Sequence, residues 1–202
     1  TIQTAIDGID AISELVNQAK GLASNAKATG NTNERSTLAV QFNELLSQIN
    51  TIANDSSFNG TNLLQASPDN LAVEFNTDNT SNLTITGLDS TTATSGINIA
   101  VAANNFGLNA NIDTALTAIS SALTTLRSNA STLGSNNTIL TTRLDFTKNL
   151  VNTLETGSGK LTLADLNEES ANLLALQTRQ QLGLNSLALA SQSERAILSL
   201  FG

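Results

Sequence analysis

The final stretch of the chain, Leu166–Phe201, limits the fold more than any other feature of the sequence. It is rich in leucine and alanine, contains no proline, and carries apolar residues on more than one helical face. Burying one such leucine is worth about 1.5–3 kcal/mol, so a helix that is apolar on several sides belongs inside an assembly or a membrane. No run of about 18 apolar residues is available to cross a bilayer, because Gln177, Arg179 and Gln181 interrupt the pattern. We therefore predict that other protein covers this segment and that it does not enter a membrane.

The composition of the chain argues against catalysis, metal binding and nucleic-acid binding. It contains no histidine and no cysteine, so the commonest general base and the commonest zinc ligands are missing. The aspartates and glutamates are spread out, mostly on predicted helix surfaces. Only 9 Lys and Arg stand against 17 Asp and Glu, a net charge of -8, whereas nucleic-acid binding requires a positive surface. We expect neither an enzyme nor a cofactor-binding protein.

Near the start of the chain, apolar residues follow the alternating three- and four-residue spacing of a coiled-coil seam. This spacing predicts a helix over about 1–28, with its seam at Ala5, Ile9, Ile12, Val16, Ala19, Ala23 and Ala26. Gly30 then ends the helix, and Asn31 with Glu34 three residues later has the form of a capping box. A second helix is predicted over about 33–54, with its seam at Leu38, Phe42, Leu45, Ile49 and Ile52. The short connection predicts that the two helices are antiparallel.

The same spacing returns over the longest regular stretch and predicts a third helix over about 110–155. Its seam consists of Ile112, Leu116, Ile119, Leu123, Leu126, Ala130, Leu133, Leu140, Leu144, Val151 and Leu154. The pattern turns polar at Asn137 and Thr147, either because these residues fix the register of the helices or because they face a wet part of the bundle. Gly157-Ser-Gly-Lys160 predicts a loop before a separate C-terminal helix. We interpret the seams of the first three helices as intramolecular core and Leu166–Phe201 as a surface for other chains.

Between the helical parts, Asp55–Ala110 is dominated by Asn, Ser, Thr and Gly, and the β-hairpin region is expected at about 66–110. Leu71–Phe75 and Leu83–Ile85 have the pattern of two strands around a polar turn, and Ile97–Val101 alternates like a third strand. A sheet of two or three strands needs support from another element, so we expect it to lie against the helices. The predicted fold class is mainly α: an elongated antiparallel helical bundle or coiled-coil rod, with a small β-hairpin insert and a C-terminal assembly helix.

Two blocks of sequence lie toward the two ends of the chain. The first is Phe42-Asn-Glu-Leu-Leu-Ser-Gln-Ile-Asn-Thr-Ile-Ala53, followed by Ser57-Phe-Asn-Gly-Thr-Asn-Leu-Leu64. The second runs from Ala171-Asn-Leu-Leu-Ala-Leu-Gln-Thr-Arg-Gln-Gln-Leu-Gly183 to Ala196-Ile-Leu-Ser-Leu-Phe201. In the same order, they resemble the N-terminal rod segment and the C-terminus of bacterial flagellins, and the heptad helix between them also fits. The resemblance covers most of the chain except about residues 66–110.

The resemblance implies a secreted structural subunit that polymerises into the bacterial flagellar filament for motility. It implies a rod domain at 1–156 and an inner-core helix at 157–202, with other flagellin subunits and a flagellar export chaperone as partners. The family's first N-terminal helix has no counterpart here, so we expect a fragment or a processed form. Burial of the apolar C-terminal surface would drive assembly. The expected assembly and chaperone contacts are Leu173, Leu174, Leu176, Leu184, Leu187, Leu198 and Phe201.

Two alternative functions share features with this sequence. A hook–filament junction protein has the same terminal architecture, although Phe58-Asn59-Gly60 and the ending Leu198–Phe201 favour flagellin. A surface adhesin, or a ligand of the innate immune receptor that senses flagellin, is a binding function of a different class. The resemblance places the receptor epitope on the first two helices, at Gln18, Gly21, Leu22 and Gln41. Recognised flagellins carry a basic residue and a glutamate where Gln18 and Gln41 align, and commonly a glutamate in place of Gly21, so the polar anchors are weakened in this chain.

Overall fold

The fold consists of three long helices and two small antiparallel sheets. This computed structural model describes residues 1–202, apart from the side chain of Phe201. Helix α1 spans Ile2–Ala28, α2 spans Thr32–Asp55, and α3 spans Asn109–Phe201. The chain divides into two compact units, Thr1–Thr142 and Arg143–Gly202, and α3 has residues in both. The mainly α fold class predicted from the sequence is confirmed.

Helices α1 and α2 bury apolar stripes in one shared core. Every predicted seam residue of α1 is buried. In α2 the buried residues are Ala39, Phe42, Leu46, Ile49 and Ala53, whereas the predicted Leu38, Leu45 and Ile52 are only partly buried. The predicted α2 seam is therefore wrong by one residue at three of its positions. At two of these positions the pattern favours Leu38 and Ile52 over Ala39 and Ala53, although alanine is among the residues most often fully buried.

Asn31 caps the start of α2 as the sequence predicts, but Glu34 has a different partner from the one a capping box requires. Asn31 Oδ1 accepts from the backbone N–H groups of Asn33 at 2.9 Å and Glu34 at 3.5 Å. The Glu34 carboxylate accepts from the hydroxyl of Thr29, and that hydroxyl oxygen accepts from the Asn31 N–H at 3.2 Å. Thr29 thus connects the Glu34 carboxylate to the Asn31 N–H, which Glu34 would bind directly in a capping box.

Two hairpins follow α2. Their strands are β1 (Ser57–Phe58), β2 (Thr61–Asn62), β3 (Leu71–Glu74) and β4 (Asn82–Ile85). The antiparallel pair β3–β4, with Leu71 opposite Ile85, confirms the hairpin predicted from the sequence. The pair β1–β2 was not predicted, because strands of two residues are too short to show an alternating pattern.

The third strand predicted at Ile97–Val101 is wrong. Ile97 and Ile99 are buried, as the alternation suggested, but their N–H groups bond to the carbonyls of Thr91 at 2.8 Å and Thr92 at 3.1 Å in the same loop. Asn98 between them has a positive φ of 52°, far from the values of a strand. Alternating burial arises here from a loop that folds back on itself.

Amide side chains of α2 hold this loop against the helices. Asn50 Oδ1 accepts from the backbone N–H of Thr92 at 2.8 Å. Asn43 Oδ1 accepts from the backbone N–H of Ala102, also at 2.8 Å. Backbone groups that leave water need such partners, and these two asparagines supply them where the loop crosses α2.

A left-handed turn, Ala103–Phe106, leads toward α3. Asn104, Asn105 and Phe106 have positive φ values of 48°, 48° and 58°. Asparagine tolerates this left-handed conformation, whereas for a residue such as Phe106 it costs about 1–2 kcal/mol. Phe106 is fully buried, and its ring meets the Phe42 ring edge to face with centroids 5.1 Å apart. Burial of this aromatic ring offsets the backbone strain.

Helix α3 continues through the loop predicted at Gly157–Lys160. The predicted end of the third helix near 155 is wrong, and so is the separate start of a C-terminal helix. An exposed glycine costs a helix only about 1 kcal/mol relative to alanine, and the chain's one proline, Pro68, lies elsewhere. Two glycines without a proline are therefore not enough to end this helix. The domain boundary at 156/157 stays a prediction.

Helix α3 contributes to the core of the first unit through its early turns. Ile112 and Leu133 are buried in the same cluster as α1 and α2, which confirms the first part of the predicted seam. Leu144, Val151 and Leu154 belong to the second unit and are 54%, 46% and 62% exposed. Their assignment to the intramolecular core is wrong, because an apolar stripe shows that a partner is needed but not where that partner lies.

The two polar positions of the α3 seam, Asn137 and Thr147, are both exposed. The Thr147 hydroxyl donates to the carbonyl of Arg143 at 2.9 Å, a bond within its own helix. These positions favour the interpretation that the seam turns polar where it faces solvent.

Candidate assembly surface and helix groove

The predicted assembly residues lie on the second part of α3. Their described side chains are exposed, from 51% at Leu173 to 73% at Leu198. Successive helical residues are rotated by about 100°, which places five of these leucines within an arc of about 80°. We call this arc the primary face: Leu173, Leu176, Leu184, Leu187 and Leu198. Leu174 lies to one side of it, and the side chain of Phe201 falls outside the described residues.

A second apolar face lies about half a helical turn away from the primary face. It consists of Leu182, Leu189 and Leu200, which are 59%, 70% and 81% exposed. The sequence analysis did not select these residues as a site, although the seven-residue interval between Leu182 and Leu189 is a signal that could have found them. A helix with two opposite apolar faces needs cover on both sides.

Polar residues divide the primary face at defined points. Gln180, Ser191 and Glu194 fall on or beside the same arc as its leucines. Burying five leucines is worth on the order of 10 kcal/mol before the cost of ordering the partners. Polar residues within such a seam lower that gain, but they restrict which register a partner helix can adopt. This face can therefore drive association and also select its geometry.

The predicted receptor epitope forms one groove between α1 and α2, with a volume of about 660 Å³. Gln18, Gly21 and Leu22 line it from α1, and Gln41 lines it from α2. Leu22 is half-buried, whereas the other three residues are exposed. A Cβ atom at Gly21 would meet nothing within 4 Å, so the groove has room for a larger side chain there. The structure thus brings together all four residues that the sequence selected.

Four further residues line this groove and were missed by the sequence analysis: Asn25, Glu44, Leu45 and Gln48. Helical spacing could have identified two of them, because Asn25 and Gln48 each lie seven residues after a selected glutamine. Glu44 is the one charged side chain of the lining, and the other polar members are amides. The groove offers many hydrogen-bonding groups but little charge for an ion pair with a receptor.

The other features of the described residues that bear on function are metal ligands, membrane-spanning helices and ion pairs. Among the described residues, no group of three or more His, Cys, Asp or Glu could hold a metal ion. None of the described helices is both long and apolar enough to cross a membrane. Lys27 at the end of α1 pairs with Asp113 near the start of α3 at 2.6 Å, and both side chains are about half exposed.

Two family models match the chain. The model described as the bacterial flagellin N-terminal helical region matches residues 1–69. The model described as the bacterial flagellin C-terminal helical region matches residues 116–201. The unmatched middle contains the β3–β4 hairpin and the left-handed turn.

Individual proteins match over nearly the whole chain. Flagellin FljM of Caulobacter vibrioides is 36% identical, and the match covers 100% of this chain and 72% of that protein. A flagellin of Brucella melitensis biotype 1 is 31% identical, over 99% of this chain and 73% of the relative. The crystal structure of Bacillus cereus flagellin superposes with a TM-score of 0.60 and 19% identity, covering 71% of this chain and 82% of that one. This last likeness concerns the fold alone.

Proposed function

The chain belongs to the bacterial flagellin family, and from that premise we propose which of its surfaces build a filament. Flagellins are structural subunits that polymerise with one another into the flagellar filament, the extracellular part of the flagellum. The family is a structural one, so the exclusion of an enzyme is confirmed. The alternatives of a hook–filament junction protein and an adhesin are not favoured.

The primary face of α3 is the surface that subunits bury when the filament forms. The observation that carries this proposal is its exposure: Leu187 and Leu198 are 71% and 73% exposed, although leucine favours burial by about 1.5–3 kcal/mol. The second face supports the same assignment, because a helix in the interior of a polymer has neighbours on more than one side. Hydrophobic burial then supplies the free energy of polymerisation.

The core of the first unit is built without these leucines. Its buried cluster extends from Ile2 of α1 to Leu133 of α3 and contains no residue of the range 143–200. A substitution on the primary face should therefore affect assembly and leave the unfolding of the first unit unchanged. This separation is what makes the proposal testable.

The test is to introduce Leu187→Asp into the full-length subunit and to measure its polymerisation onto filament seeds by sedimentation and electron microscopy. Polymerisation should be lost, while the thermal unfolding of the monomer remains that of the wild type. Asn172→Asp is the matched control, because it adds the same charge at an exposed position between the two apolar faces. Equal loss of assembly and of monomer stability, or equal loss in both variants, would contradict the proposal.

We further propose that the chain is secreted and that an export chaperone covers the primary face beforehand. A partner that binds this surface in the monomer would suppress premature assembly by mass action. The measurement is the affinity of the cognate export chaperone for the wild type, Leu176→Asp and Asn172→Asp, by calorimetry. Loss of binding in Leu176→Asp alone supports this site. Unchanged affinity in all three would place the chaperone elsewhere.

The α1–α2 groove is proposed as the contact surface for the innate receptor, with weak affinity. Gln18, Gly21, Leu22 and Gln41 line one groove, which supports the site. Glu44 is the one charged side chain of that lining, which supports the weak affinity. Gln18→Arg combined with Gln41→Glu should strengthen binding to the receptor ectodomain, measured by surface plasmon resonance. Ser24→Arg, on α1 outside the groove lining, should not. Tight binding by the wild type, or an equal gain in the control, would contradict this assignment.

A further inference from the structure

The turn that joins β1 to β2 carries the sequence Asn59-Gly60, and we infer that Asn59 is a site of spontaneous covalent modification, at which the side-chain amide becomes a carboxylate. This inference concerns the first unit and does not depend on the filament function. Asn59 is the only asparagine in the chain that is followed by glycine.

The turn presents both residues to water. Asn59 and Gly60 are exposed, and a Cβ atom at Gly60 would meet nothing within 4 Å. Both have positive φ, 52° and 79°, as the two central residues of a type I′ hairpin turn require. No hydrogen bond to another described residue holds the Asn59 side-chain amide. Its carbonyl carbon is therefore free to approach the next peptide nitrogen.

The reaction needs only water. The backbone nitrogen of Gly60 loses its proton and attacks Cγ of Asn59, which forms a C–N bond and a five-membered cyclic imide. The C–N bond of the side-chain amide breaks, and its nitrogen leaves as ammonia after taking up a proton. Water then opens the imide at one of its two carbonyls, which yields either aspartate or isoaspartate. In net terms, one water is consumed and one ammonia is released.

The glycine after Asn59 distinguishes this site from Asn79, which lies in the loop between β3 and β4. Asn79 is also exposed and has the same φ of 52°, but Thr80 follows it. A β-branched side chain crowds its own backbone nitrogen and restricts the local dihedral angles, whereas glycine leaves that nitrogen open. Asn79 Oδ1 also accepts from Asn82 Nδ2 at 3.4 Å. Asn79 is thus an internal control with the same φ and an exposed side chain.

The product would affect the end of α2. An isoaspartate adds one carbon to the main chain of a two-residue loop and so disturbs the pairing of Phe58 with Thr61. The neighbouring Asn62 is buried, and its Nδ2 donates to the carbonyls of Ala53 at 2.9 Å and Asn54 at 2.8 Å. Modification at the tip of the hairpin therefore loosens the cap of α2, and it adds a negative charge beside the half-exposed Phe58.

The experiment is to incubate the folded full chain at neutral and at mildly alkaline pH and to follow each asparagine by peptide mass spectrometry. Asn59 should convert first, with a rate that rises with hydroxide concentration because the attacking nitrogen must lose a proton. Asn79 should remain an amide over the same interval. Thr80→Gly should create a second site of conversion at Asn79. Hydrogen exchange at the end of α2 should increase as the modified fraction grows.

Three outcomes would overturn the inference. Asn59 could retain its amide as long as Asn79 does, which would mean that the turn is held too rigidly for ring closure. Another asparagine could convert first under native conditions. Conversion could also require unfolding, which circular dichroism recorded during the incubation would reveal.

Discussion

The two units of this chain use the same kind of sequence for opposite purposes. Leu126 in Thr1–Thr142 is fully buried, whereas Leu187 in Arg143–Gly202 is 71% exposed. Both are leucines of the same helix and belong to stripes with the same three- and four-residue spacing. The difference lies in the packing, because Leu126 belongs to a buried cluster with residues of α1 and α2, whereas Leu187 lies outside that cluster. An apolar stripe therefore indicates that a contact exists, while the molecule that provides it has to be found by other means.

The largest expected effect is on the unfolding free energy when each of these two leucines is replaced by alanine. Leu126→Ala should lower the unfolding free energy of the first unit by about 2–5 kcal/mol, because it leaves a cavity in a packed core. Leu187→Ala should change it by less than about 0.5 kcal/mol, since it removes exposed surface only. Denaturant unfolding followed by circular dichroism measures both changes. Comparable losses would mean that the second unit contributes to the core after all.

The next largest effect comes from replacing a glycine in each unit with alanine. The change in stability should have opposite signs in the two units. A Cβ atom at Gly8 would come within 2.9 Å of Leu64 Cδ1 and closer still to Ser56 Oγ, so Gly8→Ala should destabilise the first unit by about 1–3 kcal/mol through overpacking. Gly183→Ala meets nothing within 4 Å and should stabilise its helix by about 1 kcal/mol. Thermal unfolding measures the first change and amide exchange around residue 183 the second. A neutral Gly8→Ala would show that α1 can move away from Ser56.

The smallest effect concerns the surface charges. The Lys27–Asp113 pair is about half exposed, so Lys27→Gln should cost about 0.2–1 kcal/mol, and high salt should remove the difference. Arg179→Gln in the second unit has no ion pair to lose among the described residues and should be neutral in monomer unfolding. Unfolding titrations at low and high ionic strength test both. A loss at Lys27 that persists in high salt would point to packing of its side-chain stem instead.

The parts of the fold that local sequence determines were predictable. The α1 seam from Ala5 to Ala26, the cap at Asn31 and the β3–β4 hairpin follow from spacing and turn chemistry. The burial of Ala39 in place of Leu38 was not predictable, because the rotation of α2 depends on the shapes of its neighbours. The loop at Ile97–Val101 alternates like a strand, and only its hydrogen bonds to Thr91 and Thr92 reveal the difference.

Of the two candidate sites, the primary face was predictable from local sequence and the α1–α2 groove was not. The primary face could be identified from composition and period, since Leu173 and Leu187 lie two seven-residue repeats apart in one helix. The groove residues were selected through a family resemblance. Their meeting in one place depends on how α1 and α2 pack, and Glu44 was therefore missed. Which partner each site binds stays a prediction, because partner choice depends on surfaces outside this chain.

The left-handed turn at Ala103–Phe106 also bears on the order of events as the chain folds. The left-handed backbone of Phe106 is unfavourable by itself, so we expect this turn to become stable when the Phe106 ring packs against Phe42. Arg35 of α2 then closes the joint, donating through Nη2 to Asn109 Oδ1 at 2.7 Å. Helices α1 and α2 are neighbours in the sequence and close their contact at little entropic cost. We therefore expect the start of α3 to dock after α1 and α2 have paired, once Phe106 has packed against Phe42.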